Sequence, residues 1–79
     1  MTQQLQEIAT QTAEPWAAQR AQYALEICQA VSTGQMSADE GQELMRDLVR
    51  MDRLDSESSD MQLKTALVTA VYLAANLPL

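Results

Sequence analysis

Residues 60–77 read DMQLKTALVTAVYLAANL, and this stretch decides the fold. At 100° per residue, Leu63, Ala66, Leu67, Val68, Ala70, Val71, Leu73, Ala74, Ala75 and Leu77 cover about 220° of a helical circumference. Gln62, Thr65, Thr69 and Asn76 form a narrow polar seam. A helix resting on one neighbour needs an apolar stripe only slightly wider than about 100°. The segment is therefore expected to be a central helix, over about residues 60–76, with neighbours on at least two sides. Ser58, Ser59 and Asp60 each offer an oxygen to cap its first turn, with Gln62 at capping-box distance from Ser59. Asn76 tolerates a left-handed closing residue, and Pro78 cannot continue the helix. The uncharged run 65–79 is shorter than the roughly 20 residues a bilayer span requires, so buried core or subunit interface is the expectation, with no membrane.

Upstream, Ser37-Ala38-Asp39-Glu40 is a capping box with two acids in the first turn, where the helix dipole favours them. A helix follows over about residues 38–54, with Gly41, Leu44, Met45, Leu48, Val49 and Met51 on one stripe. Before it, Pro15 suits the first turn of a helix running to about residue 33. That helix carries Trp16, Tyr23, Ile27, Ala30 and Val31 as its main stripe, Ala17, Ala24 and Cys28 beside it, and Gln19, Gln22, Glu26 and Gln29 opposite. Gly34 closes it in a position that favours positive φ. The short connection predicts an antiparallel hairpin. Gly34-Gln35-Met36-Ser37 with Glu40 resembles the hairpin of the short SHOCT modules of bacterial proteins; the likeness spans about 25 residues, implies the hairpin, and carries no function across. Residues 3–12 predict a short N-terminal helix with Leu5, Ile8 and Ala9 on a thin stripe, docked on the rest or, over residues 1–13, a mobile arm. The expected architecture is thus a single all-α domain over 1–79.

A chain of 79 residues buries only about 60% of its unfolded surface. Twelve of its apolar residues are alanines, which contribute little area each. A second copy or a larger partner is therefore expected to complete the fold. The net charge is −6, concentrated between Ser37 and Asp60, which argues against direct nucleic-acid binding. One cysteine and a polar, Gln-rich start point to the cytosol of the producing or host cell.

Histidine is absent, which removes the commonest general base and metal ligand. No catalytic, cofactor-binding or metal-ligating residue is assigned. Cys28 reads as an inert core thiol. Asp52, Asp55, Glu57 and Asp60 crowd a linker without the glycine and spacing of a calcium loop. Two non-enzymatic functions remain. The first is an interaction or assembly module, of the small accessory kind that phages encode, which self-associates or docks on a larger protein. Its interface candidates are Trp16, Arg20, Tyr23, Leu67, Val71, Tyr72 and Leu77. Arg20 stands out as a charge inside an apolar stripe, either reaching water along its stem or pairing with an acid. The alternative is an acidic regulator that occludes a basic surface of a nucleic-acid-binding enzyme through Asp39, Glu43, Asp47, Asp52, Asp55, Glu57 and Asp60.

Overall fold

The computed structural model describes residues 2–50, 54 and 60–76. Among them are four helices and no strand: α1 (Gln3–Gln11), α2 (Pro15–Ser32), α3 (Ala38–Leu48) and α4 (Met61–Ala75). Helix α4 packs against α1, α2 and α3, and α1 packs against both α2 and α4. The α-carbon radius of gyration is 11.7 Å, against about 11.6 Å for a compact chain of this length. Helix α1 is therefore a docked helix of the bundle, and Leu5, with no exposed surface, is its anchor.

Local chemistry sets the boundaries. Pro15 holds the first helical position of α2, and Glu14 before it is extended at φ −93°, ψ 109°. At the other end of α2, Gly34 adopts φ +82°. The Gly34 and Gln35 N–H groups donate to Val31 O at 3.2 Å and Ala30 O at 2.9 Å. This is the Schellman pattern, and it takes up carbonyls that the helix end leaves unpaired. Ser37 Oγ accepts the Glu40 N–H at 3.1 Å and so caps α3, and it donates to Glu40 Oε1 at 3.0 Å, so Glu40 answers the cap through the serine hydroxyl and not through the backbone N–H of a capping box. Helix α4 is capped by Asp60, whose Oδ1 accepts the Leu63 N–H at 3.0 Å, and closed by Asn76 at φ 58°. Helix α3 ends at Leu48, where Val49 at φ −113°, ψ 27° turns the chain; Leu54, at the expected limit of that helix, is helical and fully buried.

The core is Leu5, Trp16, Ala17, Ala21, Ala24, Ile27, Met45, Val49, Leu54, Leu67, Ala70 and Val71. Three features differ from the sequence expectation. The buried face of α2 follows Ala17, Ala21 and Ala24 rather than Tyr23, which is 48% exposed; small side chains let α1 and α4 approach that face, and a phenol ring does not fit there. The buried charge is Lys64 at 4% exposure, whereas Arg20 is only half-buried. Finally, α1 joins α2 and α3 as a neighbour of α4, and the wide apolar arc is covered in part: Leu67 and Val71 have no exposed surface, whereas Ala66 and Leu73 are exposed and Leu77 lies outside the described residues. The third neighbour is α1, which the sequence left between docked helix and arm.

Candidate functional site

The two glycines fix the hairpin that carries the candidate surface. A Cβ added at Gly41 would stand 2.6 Å from Val31 Cγ2 and 3.5 Å from Ile27 Cγ2, so α3 crosses α2 at that point nearly backbone to side chain. This contact sets the register of the hairpin, with Met45 beside Ile27 and Val31 in the same cleft. Met45 turns inward and is 1% exposed. Leu44 turns outward at 38% exposure, Leu48 is half-buried, and on α2 Tyr23 is exposed.

Beside that edge lies the charge. At 100° per residue, Asp39, Glu43 and Asp47 fall within an arc of about 80° on the solvent side of α3. Arg50 Nη1 lies 3.7 Å from Asp47 Oδ1, and both side chains are about half exposed; a pair of that exposure contributes little to stability. Asp60 spends its carboxylate as the α4 cap. Asp52, Asp55 and Glu57 lie outside the described residues.

Of the interface candidates, Trp16 is buried, with its Nε1 meeting no hydrogen-bond acceptor. Leu67 and Val71 are core residues that no partner can reach in this fold. Tyr72 is half-buried, Tyr23 is exposed, and Leu77 lies outside the described residues. Sequence reasoning placed Leu44 on the buried stripe of α3 and so missed it as surface. The signal that separates it from Met45 is the position of Gly41, which aims the centre of the α3 stripe at Val31 and leaves Leu44 at its rim.

The best-formed cleft among the described residues is small. A cleft of about 90 Å³ between α2, α3 and α4 is lined by Ile27, Cys28, Val31, Gly41, Met45 and Ala74 among others, with Gln42 Nε2 donating to Ala75 O at 3.2 Å across its mouth. Ligand pockets commonly measure about 300–1,000 Å³. Surface depressions between α1 and α4, between α1 and α2, and along α4 reach 350–460 Å³, but their titratable lining amounts to Glu7 in the first, Cys28 in the second and nothing in the third. Burial pushes the Cys28 thiol up from its ordinary value, which lowers its thiolate fraction and its nucleophilicity at neutral pH. Among the described residues no helix is long and apolar enough to cross a membrane, and no three acidic or cysteine side chains gather to hold a metal ion.

Comparison with protein-family models, with curated proteins and with solved structures finds no match to this chain. The likeness to SHOCT hairpins accordingly stays at the level of the Gly34–Glu40 turn.

Proposed function

We propose that this chain is a non-enzymatic protein-interaction module, a small accessory or assembly component that docks as a self-contained monomer on a larger protein. The observation that carries the reading is the set of large apolar side chains left in solvent, Tyr23 at 48% and Leu44 at 38% on the hairpin and Met61 at 58% and Leu73 at 43% on α4. Clustered exposed apolar groups mark contact sites far better than isolated ones do. The small enclosed cleft and the sparse titratable groups of the larger depressions support a binding role over a catalytic one. Self-association has less support than the sequence suggested, because α4 finds its neighbours within its own chain.

The test has two arms. Sedimentation and thermal melting across a hundredfold concentration range are expected to give one monomer mass and an unchanged Tm, since association linked to folding would make Tm concentration-dependent. A photo-crosslinking amino acid at position 23, compared with one at position 62 on the outer face of α4, is expected to give a discrete protein adduct from the first only. A stable dimer, or no adduct at position 23, refutes the reading. The acidic-regulator alternative draws support from the arc of Asp39, Glu43 and Asp47; it requires an adduct that disappears steeply with added salt.

A further inference from the structure

We infer that α1 is a releasable strap: it unfolds from its seat on α2 and α4 while α2, α3 and α4 stay folded, and so uncovers apolar surface that the closed chain hides. The opening stands whether or not a larger protein docks on the chain. It follows first from what holds α1 in place. Every hydrogen bond of α1 among the described residues is local, as in the Gln6 N–H to Thr2 O at 3.0 Å, Thr10 Oγ1 to Gln6 O at 2.8 Å and the Thr12 N–H to Ile8 O at 3.3 Å. No hydrogen bond or ion pair among those residues ties α1 to another helix. Helices α3 and α4, by contrast, are joined by Gln42 Nε2 donating to Ala75 O. What seats α1 is apolar burial, and that burial is narrow. Leu5 is fully buried, Ile8 and Ala9 are half-buried, and the rest of Gln3–Gln11 is exposed. Depressions of about 350 and 460 Å³ flank it on both sides, one toward Ala66 and Thr69 of α4 and one toward Leu25 and Cys28 of α2.

The helix also has little means of persisting off its seat. It has nine residues, fewer than the roughly 12–15 at which an isolated helix becomes marginal in water. Thr2 gives it no side-chain cap, and it carries neither an acid in its first turn nor a base in its last. Release is therefore unfolding of the segment. The junction then confines that unfolding. Thr12 and Glu14 are extended, and the first turn of α2 hangs from Glu14 O, which accepts the Ala17 and Ala18 N–H groups at 3.1 Å. Pro15 at the head of α2 has no N–H to be satisfied from upstream. Melting of α1 thus breaks no backbone hydrogen bond of α2. A unit with few buried apolar groups and solvent-facing hydrogen bonds opens at a free energy below that of global unfolding.

The test uses the full chain with two readouts, amide hydrogen exchange by NMR and the rate at which dithionitrobenzoate labels Cys28. Cys28 is the chain's one cysteine and lines the α1–α2 depression beside Thr2 and Gln6, so its labelling reports release. The amides of residues 7–11 are expected to be protected about tenfold or more below those of residues 24–27 and 67–71, and to respond more weakly to low urea. Asp60→Ala removes the α4 cap, which is in place whether α1 is seated or not. It is expected to lower protection in α2 and α4 about fivefold while leaving α1 exchange and Cys28 labelling unchanged. Leu5→Ala is expected to speed both by about tenfold or more. The urea dependence of exchange in the unaltered chain decides the matter if a variant does not fold. The proposal is overturned if α1 is protected as strongly as the centres of α2 and α4, if Asp60→Ala moves all three alike, or if Cys28 labelling ignores Leu5→Ala. Amides of α1 with no protection overturn it as well, since they would belong to a free arm and not to a seated strap.

Discussion

Replacing Gly41 by Ala gives the sharpest reading of how tightly the hairpin is built. In an ordinary helix interior the change stabilises by about 1 kcal/mol, because alanine has the better helix propensity. Here the new methyl would lie 2.6 Å from Val31 Cγ2, roughly 1 Å inside the distance of about 3.5–4.0 Å at which carbons attract. Val31 is β-branched and stiff at χ1, so it cannot swing its methyl aside cheaply. Overpacking of this kind costs about 1–3 kcal/mol. The net expectation is a destabilisation of up to about 2 kcal/mol, which lowers Tm by about 4–8 °C per kcal/mol in a domain of this size. The background decides the sign. In Val31→Ala the clashing methyl is gone, and the same Gly41→Ala change is expected to stabilise by about 1 kcal/mol. Urea unfolding of the four proteins in this cycle, followed by Trp16 fluorescence, should return a coupling energy of about 1–3 kcal/mol. If Gly41→Ala stabilises the unaltered chain, or costs the same in both backgrounds, the close crossing of α2 and α3 is wrong.

Other substitutions separate the remaining devices. Gly34→Ala meets no neighbouring atom, so its cost should be that of left-handed backbone alone, about 1–2 kcal/mol in the same urea assay, and Gly34→Asn should recover part of it. Ser37→Ala and Asp60→Ala each remove one cap and should cost about 1 kcal/mol in thermal melts, additively because they serve different helices. Trp16→Phe removes an indole N–H that is buried without an acceptor, and an unpaired buried donor costs about 1–3 kcal/mol. By circular dichroism it should be clearly milder than Trp16→Ala, for which about 3–5 kcal/mol is expected; equal losses would contradict the unpaired donor.

The parts of this fold that follow from local chemistry were legible in the sequence. Pro15, Gly34, the Ser37 cap and Asn76 each act within a turn or two of chain, and each does in the structure what its residue type dictates. The N-cap of α4 was narrowed from three candidates to Asp60 only by geometry, since Ser59 and Asp60 offer equivalent oxygens on paper. What periodicity could not supply was the direction in which each helix meets its neighbours. Helix α2 carries two competing stripes, a bulky one through Trp16 and Tyr23 and a small one through Ala17, Ala21 and Ala24. The structure buries Trp16 and Ile27 of the first together with all three alanines of the second, and leaves only Tyr23 of the bulky residues in solvent. Lys64 escaped notice for a related reason: at 100° per residue its position on α4 lies at the edge of the buried arc, about 20° beyond Val71, but its type argued for solvent. On the candidate surface, Tyr23 was named from sequence and Leu44 was not, because the rim of a stripe is distinguishable from its centre only once the neighbour is placed.

The central claim is that α1 is a docked member of the bundle, packed on α2 and α4, and Leu5 is the residue on which that claim bears most directly. It lies in the segment whose sequence allowed an arm, and it has no exposed surface. The decisive measurement is the unfolding free energy of Leu5→Ala in urea. A loss of about 2–5 kcal/mol, the cost of emptying a fully packed leucine site, is expected; a loss within about 0.5 kcal/mol, as at an exposed position, would show that α1 does not close the bundle.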